Sequence, residues 1–541
     1  MERKAAARAR IPEVLTKVLF ALLILIFLFC SVCSLLWTCT IDPHDYIKEH
    51  ILFQTDSFWL NLGVLAALFL VCAVLLIRFG SRIRKKHVRI AGIVMLCWTF
   101  ALSMIWMTAV RSVPTADSRY VLEAASSAAK NDFSFFSSKQ HYFQMFPYQL
   151  GIVAIYEGIN RLFGGAATTA MYALNAASLT AACWAIVVLA ERVFSDRRVT
   201  LLTILALMLC VQPILYTSFL YGSLIGLAAM LWACVLLLRF LVSGRNHLIV
   251  WIALLCAFSV TAKQNNWIGV AAICIVLLLS LIRRFRFSGI VCALAVVLAP
   301  ILALGAIQSS YESRAGVQLG EGTPQTAWLV MGLSDSERAP GWYNGYTYSV
   351  LKEAGMDTEQ AKAAIRRDLS ERLDALSSDR AYAADFFYKK VLSQWNEPSF
   401  ESVWVSKARE HESALPAFAA NVYDGALGDA LNVYFEHGVT FLYSLFAAGL
   451  LAMLIRRRGA GNLLRADAER RAPDETTAEA RALLPLIILG GFLYHLLFEA
   501  KSQYALVYLP MMLPYAAFGL VRSADALRCL LTKRNARRIP A

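Results

Sequence analysis

VLTKVLFALLILIFLFCSVCSLLW, residues 14–37, carries one charged side chain and is the first of about a dozen apolar runs in this chain. Runs of roughly 17 to 25 apolar residues are long enough to cross about 30 Å of hydrocarbon as helices. The runs are continuous and do not alternate between apolar and polar residues, which excludes a membrane-spanning β-barrel. The sequence therefore predicts an all-α polytopic membrane protein.

The composition leads to the same class of protein. Of the 541 residues, 58% are hydrophobic and 17% are charged, and the mean hydropathy is +0.54. These values are too apolar for a soluble enzyme of this size. The net charge is +14, but the basic residues cluster at the ends of the apolar runs, where they act as orientation signals and not as a nucleic-acid-binding surface. Because further runs follow residues 14–37, we expect this first run to be retained as a signal anchor.

The basic loops predict how the chain is oriented. Lys and Arg are concentrated in residues 78–89, 283–286, 456–481 and 528–538, and loops with such an excess face the cytoplasm. We therefore expect a multi-pass protein of the plasma membrane with both its N-terminus and its C-terminus in the cytoplasm. The expected organisation is N-terminal transmembrane helices (1–110), a first extracytoplasmic loop that is the candidate catalytic one (111–147), a transmembrane core (148–308), a large extracytoplasmic loop (309–430), and C-terminal transmembrane helices with a basic cytoplasmic tail (431–541).

The number of apolar segments conflicts with a cytoplasmic C-terminus. The segments lie near 14–37, 58–78, 90–110, 148–163, 167–190, 200–216, 222–241, 248–262, 265–282, 289–308, 433–455, 483–498 and 503–522. They are odd in number, so counting each as a full crossing puts the two ends of the chain on opposite faces. Either segment 148–163 lies along or re-enters the membrane, or the short pair flanking Lys263 is one bent element. Arg192, Arg197 and Arg198 favour the first alternative.

Polar residues at one rim of the predicted bundle are the candidates for chemistry. Charged side chains at membrane depth or at its edge are unfavourable enough to count as functional-site candidates. On the expected outer side these are Asp117 after the third run, Lys263 in TAKQNN (261–266), and Glu499, Lys501 and Tyr504 in FEAKSQY (498–504). A carboxylate can deprotonate an acceptor and cations can hold a phosphate leaving group, which are the parts that a transferase acting on a lipid phosphate needs.

Each of these residues also has a purely structural interpretation. Asp117 can serve as the N-cap of an amphipathic helix from about Ser118 to Lys130. Lys263 can extend its side chain to the headgroups. Glu499 and Lys501 can form an exposed ion pair of little energetic consequence.

Aromatic residues are concentrated in the large loop and provide a second set of candidates. Trp342 and Trp395 suit stacking against a sugar ring, but Trp and Tyr also populate the interfacial belts of membrane proteins. We weigh the two interpretations equally. These two residues and Glu397 are candidates for contact with an acceptor.

Several short motifs together resemble a known family. They are the acidic residue after an early span, YFQMFPYQLG (142–151), RLFGG (161–165), TAKQNNWIG (261–269), the large outer loop and the late FEAKSQY. The pattern resembles bacterial membrane glycosyltransferases of the GT-C class, and is most similar to the family 39-like group of protein O-mannosyltransferases and lipid A aminoarabinose transferases. The resemblance extends from about residue 90 to about residue 520.

The resemblance implies a fold and a reaction. The fold is a GT-C-like bundle of about 12–13 transmembrane helices with helical extracytoplasmic loops. The reaction moves a monosaccharide from a polyprenyl-phosphate donor to a cell-envelope acceptor on the outer face of the membrane, normally with inversion. The implied partners are the polyprenyl-phosphate sugar, membrane lipids, and a glycopolymer, lipid or protein acceptor, with no nucleic acid.

The resemblance also implies roles for individual residues. Asp117 matches the catalytic acidic residue of the first loop, acting as base on the acceptor hydroxyl, and Lys263 matches a lysine associated with the carrier phosphate. Lys501 and Tyr504 match a late motif expected to bind the donor phosphate in the same cavity. The expected cavity or acceptor residues are Gln149, Glu499, Trp342, Trp395 and Glu397.

Cofactor use departs from the family pattern. Many relatives have a second acidic residue beside the first, whereas Asp117 is followed by Ser118 and Arg119. A divalent metal is therefore left open, with its ligands unknown, and no other cofactor is implied.

Two other functions remain as alternatives. A transporter or flippase of a lipid-linked sugar or small solute would show inverted repeats and polar residues at the membrane midplane. We find no evident repeat, and the notable polar groups collect at one rim. A polymerase or ligase of envelope polysaccharide would join whole lipid-linked chains and not single sugars.

Overall fold

The computed structural model describes residues 2–42, 48–137, 141–455 and 478–536, and nearly all regular structure in these ranges is helical. The first thirteen helices are α1 (Glu2–Leu36), α2 (Phe58–Phe79), α3 (Lys85–Val110), α4 (Ala116–Ala129), α5 (Tyr142–Met145), α6 (Leu150–Phe163), α7 (Ala167–Phe194), α8 (Arg197–Leu209), α9 (Gln212–Leu215), α10 (Ser223–Ser243), α11 (His247–Ala262), α12 (Trp267–Arg283) and α13 (Phe287–Ala315).

The second half of the chain is also helical. Its helices are α14 (Thr326–Gly332), α15 (Tyr346–Glu353), α16 (Thr358–Ser378), α17 (Arg380–Trp395), α18 (Trp404–Lys407), α19 (Ala417–Asp424), α20 (Ala426–Leu454), α21 (Ala478–Leu497), α22 (Ser502–Ala505) and α23 (Leu509–Ala536). The basic segments predicted at 456–481 and 528–538 lie in part outside the described residues.

The long helices confirm the predicted class of protein. Within the described ranges, ten helical segments are long and apolar enough to cross a membrane, or 11 if α8 and the bent segment 212–218 after it form one span. Helix α11 is apolar but shorter, with 16 residues. The protein is therefore an all-α polytopic membrane protein.

Helix α6 resolves the problem of the odd number of segments. It has 14 residues, which rise roughly 21 Å and do not reach across about 30 Å of hydrocarbon. It packs mainly along α4, and its last residues Leu162 and Phe163 are exposed. Gly164 has a φ of +51° and ends the helix, after which the 28 residues of α7 are long enough to cross. The structure therefore favours segment 148–163 as the non-crossing one.

The two helices flanking Lys263 are separate elements. Helix α11 packs against α10 and α13, whereas α12 packs against α1 and α21 as well as α13. Lys263 lies at the break between them with an extended backbone. The alternative in which this pair forms one bent element is therefore not supported.

One side of the bundle collects the polar segments, and we call it the site side. The chain reaches this side at Asp117 after α3, at Lys263 after α11, and at Lys501 after α21, and the charges of these three residues act on one another. The long segment between α13 and α20, with helices α14 to α19, covers the same side. The assignment of this side to the outer face of the membrane stays a prediction.

A short β-hairpin on the site side was not predicted from the sequence. Strand β1 (Trp37–Ile41) pairs with strand β2 (Ile51–Thr55) in antiparallel register, with Trp37 opposite Thr55. The backbone N–H of Ile51 donates to the carbonyl oxygen of Arg338 at 3.0 Å. The hairpin is thereby fixed to the large loop and brings Glu49, just before β2, over the ends of the transmembrane helices.

Glycines allow the closest helix crossing in the bundle core. Helices α20 and α23 meet at Gly449 and Gly519, and a Cβ built on Gly519 would lie 2.7 Å from the backbone nitrogen of Gly449. A Cβ on Gly449 would overlap the carbonyl oxygen of Tyr515. Small residues are what lets helix backbones approach this closely in membrane proteins.

We expect Gly449→Ala to lower the free energy of unfolding by about 2–3 kcal/mol, because the new methyl group forces α20 and α23 apart. The measurement is the shift of the unfolding transition of the protein in detergent micelles. Gly438→Ala is the matched control, since it lies in the same helix and has nothing within 4 Å of an added Cβ. Equal shifts for the two variants would contradict close packing at this crossing.

Candidate active site

The segment before Asp117 has a fixed path. Helix α3 ends at Arg111, whose φ is +37°, and the chain then runs extended to Ala116, whose φ is +48°. The backbone N–H of Val113 donates to the carbonyl oxygen of Glu410 at 2.8 Å. Two left-handed residues within one short connection are unfavourable for L-amino acids. The path is therefore determined by the packing around it, and it aims the Asp117 side chain at the site.

Asp117 is not the N-cap of helix α4. The cap position is Thr115, and Asp117 is the second residue of the helix. Its carboxylate instead accepts a hydrogen bond of 3.0 Å from the hydroxyl of Tyr221. The capping interpretation from the sequence is therefore wrong in its geometry, although a carboxylate in the first turn still interacts favourably with the helix dipole.

Tyr221 joins the predicted site residues. Its hydroxyl accepts a hydrogen bond from the side-chain amide of Gln149 and donates to Asp117. Its ring lies under Lys263, with the ammonium nitrogen 3.9 Å from the ring centroid, which is a cation–π contact. Burial first, and then the charge of Asp117, hold the pKa of Tyr221 well above its usual value. The hydroxyl therefore stays protonated and serves as a donor to the carboxylate.

The backbone next to Tyr221 explains why it reaches both charged residues. Gly222 has a φ of +82° and contacts the carbonyl group of Ala262, directly before Lys263. A side chain at this position would collide with that carbonyl, so the close approach requires glycine. Sequence reasoning missed Tyr221, and the only local signal for it is the Tyr-Gly pair between two apolar runs.

Lys263 presents a cation toward the site. Within the described part of the chain, no carboxylate or carbonyl oxygen accepts a hydrogen bond from its ammonium group, which lies over the ring of Tyr221. Burial lowers the pKa of Lys263 to about 8, while the charges of Asp117 and Glu499 act to raise it. An ammonium group with three free donors suits an incoming phosphate, which would also stabilise its charged form.

Lys501 is already paired. Its ammonium group donates to the carboxylate of Glu49, and Arg338 forms a second ion pair with the same carboxylate at 2.9 Å. Burial acts to raise the pKa of Glu49, but Lys501 and Arg338 together hold it below its usual value. The interpretation of Glu499 and Lys501 as an exposed pair is therefore wrong, because Lys501 is buried and its partner is Glu49.

Glu499 and Tyr504 lie at the same cluster. Burial raises the pKa of Glu499 to about 7; the charge of Lys501 opposes this shift and that of Asp117 adds to it. The ring of Tyr504 stacks on His495 with centroids 5.0 Å apart, and the charges of Glu499 and Asp117 act on its hydroxyl. A carboxyl group with a pKa near neutrality at a charged site is a candidate for proton transfer.

Three residues expected at the acceptor lie in the protein interior. Trp342 is 0% exposed, and its indole N–H donates to Ser393 at 2.9 Å. Trp395 is 1% exposed and packs against Phe27 of α1. Glu397 accepts hydrogen bonds from two backbone N–H groups of its own turn and from a serine hydroxyl. All three hold the large loop onto the bundle, so the structure does not place them at a ligand-accessible surface.

Two cavities are lined by residues that neighbour Asp117, Tyr221 and Lys263 in the chain. The first, of about 200 Å³, is lined by Ser118, next to Asp117, and by Leu220, next to Tyr221. Its wall also includes Ser112, Ser126, Thr168, Tyr172 and Ser218, and we call it the hydroxyl-lined cavity. The second, of about 210 Å³, is lined by Gln264, next to Lys263, and by both neighbours of Gln149. Its wall includes the α13 residues Leu304, Gly305, Ile307 and Gln308, and we call it the α13 cavity.

The described residues give no set of metal ligands. Among them, no group of three or more His, Cys, Asp or Glu side chains is arranged to hold a metal ion. The ligands of a divalent metal, which the sequence leaves open, are therefore not assigned. What the site offers from its own side chains is a carboxylate, a buried phenol and an ammonium group in contact with one another.

Comparisons with known proteins find similarity among solved structures. No protein-family model and no curated protein sequence matches the chain. Among solved structures, the chain is similar to the archaeal oligosaccharyltransferase AglB from Archaeoglobus fulgidus in complex with an inhibitory peptide and a dolichol-phosphate, with 12% identity and a TM-score of 0.37. The similarity covers 83% of this chain and 52% of that one, so this chain spans about half the length of its neighbour.

Because the TM-score is low, the residues of this chain, and not the neighbour, support the function proposed below.

We expect Lys263 to react with formaldehyde and cyanoborohydride at a lower pH than Lys362, because burial lowers the pKa of Lys263 whereas hydrogen bonds to Glu359 and Glu321 raise that of Lys362. The half-maximal rate for Lys263 should fall near pH 8, measured by mass spectrometry of the methylated protein.

Asp117→Asn should move the Lys263 midpoint to a still lower pH, since it removes a negative charge that favours the ammonium form. Glu123→Gln, an exposed change in the same helix, should leave the midpoint unchanged. A Lys263 midpoint at or above that of Lys362 would contradict the buried site.

Proposed function

We propose that this protein is an integral membrane glycosyltransferase that moves a hexose from a polyprenyl-phosphate donor to a cell-envelope acceptor. We assign the site side to the outer face of the plasma membrane, with both termini in the cytoplasm. The observation that carries the proposal is that Tyr221 contacts both Asp117 and Lys263 at the rim of an apolar bundle. Residues next to these three in the chain line two cavities.

The α13 cavity suits the donor. Leu304 and Ile307 of its wall belong to a membrane-crossing helix, and a polyprenyl chain requires an apolar path of this kind. Lys263 follows the end of α11 directly beside this cavity. A phosphate at the end of the lipid would therefore lie within reach of an ammonium group that has no competing partner among the described residues.

The reaction can be written with these side chains. The oxygen of an acceptor hydroxyl attacks the anomeric carbon, and Asp117 accepts the proton of that hydroxyl. The bond between the anomeric carbon and the phosphate oxygen breaks with inversion, and the phosphate oxygen keeps the electron pair. Lys263 stabilises the charge that develops on the leaving phosphate. No nucleotide is needed, because the leaving group is already a lipid phosphate.

Lys501 and Glu499 would act more indirectly in this mechanism. Lys501 keeps a positive charge near the leaving group but is paired with Glu49, so direct contact with the phosphate falls to Lys263. With its pKa near 7, Glu499 is placed to exchange a proton with the site after transfer. Tyr504 stays a prediction for the donor side of the cavity.

We expect Asp117→Asn to lower the release of polyprenyl phosphate by at least about 100-fold, which is the usual scale of general-base catalysis. The assay offers a panel of polyprenyl-phosphate sugars and a crude envelope acceptor to the protein in nanodiscs. Glu123→Gln is the matched control and should retain full release, because Glu123 is exposed and its ion pair is with the exposed Arg119.

Release that persists in a folded Asp117→Asn variant would overturn the role of Asp117 as base. The absence of release with every donor and acceptor would favour the alternative, a transporter or flippase of a lipid-linked sugar.

Tyr221→Phe tests the group that joins the two charged residues. The variant keeps a ring under Lys263 but loses the hydroxyl that bridges Gln149 and Asp117. A hydrogen bond to a charged group contributes about 1.5–3 kcal/mol, so we expect kcat to fall roughly 10- to 100-fold with a smaller change in KM for the donor. A larger effect on the donor KM than on kcat would mean that Tyr221 binds the lipid and does not position Asp117.

A further inference from the structure

The hydroxyl-lined cavity differs in chemistry from the α13 cavity. Its wall carries six hydroxyl groups and one amide, from Ser112, Ser118, Ser126, Thr168, Tyr172, Ser218 and Asn160. The hydroxyls of Ser118 and Ser218 donate to backbone carbonyls 2.9 Å away and keep their lone pairs free. Such a wall can exchange hydrogen bonds with the hydroxyls of a sugar.

One arginine faces this polar wall. Arg409 lines the cavity. In the described part of the chain, its guanidinium group forms one hydrogen bond, which Nε donates to the carbonyl oxygen of Val405 at 3.3 Å. No carboxylate among the described residues lies within ion-pair distance of it. The guanidinium group also lies over the ring of Trp404, 5.7 Å from its centroid, and this contact leaves the two terminal nitrogens able to form the paired hydrogen bonds by which arginine binds a carboxylate or a phosphate.

The charges around Arg409 leave it available. Burial lowers the pKa of Arg409, and the charges of Glu49 and Glu401 oppose that shift from a distance, while Glu49 is already paired with Lys501 and Arg338. The carboxylate of Glu412 also lines the cavity and can accept hydrogen bonds from sugar hydroxyls. Arginine remains protonated at physiological pH even after such a shift.

The wall of the cavity includes the residues next to Asp117 and Tyr221 in the chain, although these two side chains do not line it. Ser118 follows Asp117 in helix α4, and Leu220 precedes Tyr221, so the same short segments line the cavity and carry the carboxylate and its partner. A sugar held in this cavity would place its hydroxyls near the proposed base. The α13 cavity lies beside Lys263 instead.

We propose that the hydroxyl-lined cavity binds the acceptor sugar and that Arg409 makes it selective for an acceptor with an anionic group, a carboxylate or a phosphate, near the hydroxyl that is glycosylated. The inference that the bound sugar is the acceptor rests on the proposed function. Binding of an anionic sugar in this cavity does not itself require transfer. Arg409 is a specificity-determining residue in this view, and Asp117 is the base.

The test measures binding without any donor. Glucuronate, glucose 6-phosphate and glucose are titrated against the whole protein in phosphatidylcholine nanodiscs, and binding is followed by saturation-transfer NMR of the sugar protons. The two charged sugars distinguish a carboxylate from a phosphate, and glucose reports the contribution of the hydroxyls alone. We expect one or both charged sugars to bind at least about 10-fold more tightly than glucose, because a charged hydrogen bond is stronger than a neutral one.

Arg409→Gln should remove this preference and leave glucose binding unchanged. Arg409→Lys keeps the charge but not the paired donors and should retain part of it. Arg119→Gln is the matched control, since Arg119 is an exposed arginine on α4 that pairs only with Glu123. The unfolding transition of each variant shows whether it is folded. If Arg409→Gln does not fold, the partial loss of the preference in Arg409→Lys is the test.

Equal binding of the charged sugars and glucose, or a preference that survives Arg409→Gln, would overturn the proposal, as would the absence of binding by all three sugars. The outcome is separate from that of the release assay. A preference for the charged sugars without any release of polyprenyl phosphate would support the cavity assignment and contradict the glycosyltransferase function. Release without the preference would support the glycosyltransferase function and contradict the cavity assignment.

Discussion

The arrangement of the site depends on the contacts of Tyr221 with Asp117 and Lys263. The Lys263 ammonium group at the edge of an apolar bundle loses hydration, whereas the Asp117 carboxylate is exposed. Tyr221 contacts both, through its hydroxyl for Asp117 and through its ring for Lys263. The two charges are thus held near each other without forming a direct ion pair, which would occupy the groups that a substrate needs.

A second set of charges surrounds this one and is satisfied internally. Glu49, brought in by the β-hairpin, binds Lys501 and Arg338, so three separate parts of the chain meet at one buried carboxylate. Breaking a buried pair of this kind leaves an uncompensated charge, and this is strongly destabilising. The network therefore fixes the hairpin, the large loop and the last helices around the site, while among the described residues Lys263 and Arg409 form no ion pair with a carboxylate.

Much of the site followed from the position of its residues relative to the apolar runs. Asp117, Lys263, Glu499 and Lys501 were expected on one rim because orientation signals and span lengths fix the side on which each loop emerges, and the structure brings them together. The burial of Trp342 and Trp395 was not predictable, because an aromatic residue in a long loop has the same sequence signal whether it faces a ligand or the core. Glu49 carries no local signal and Tyr221 only that of the Tyr-Gly pair between two apolar runs, since each acts through a partner far away in the chain.

The sequence by itself determined that the chain is a bundle of apolar helices with its polar chemistry at one rim. This follows because the cost of placing polar groups in hydrocarbon acts on every segment separately and can be read from local composition. Only the tertiary structure decided that α6 packs along α4 and ends at Gly164, that Asp117 binds Tyr221 and does not cap its helix, that Lys501 is paired, and that two cavities of different chemistry lie at the segments carrying the cluster. These features depend on which segments pack against each other, and that choice is made by the sum of many weak contacts between residues distant in sequence.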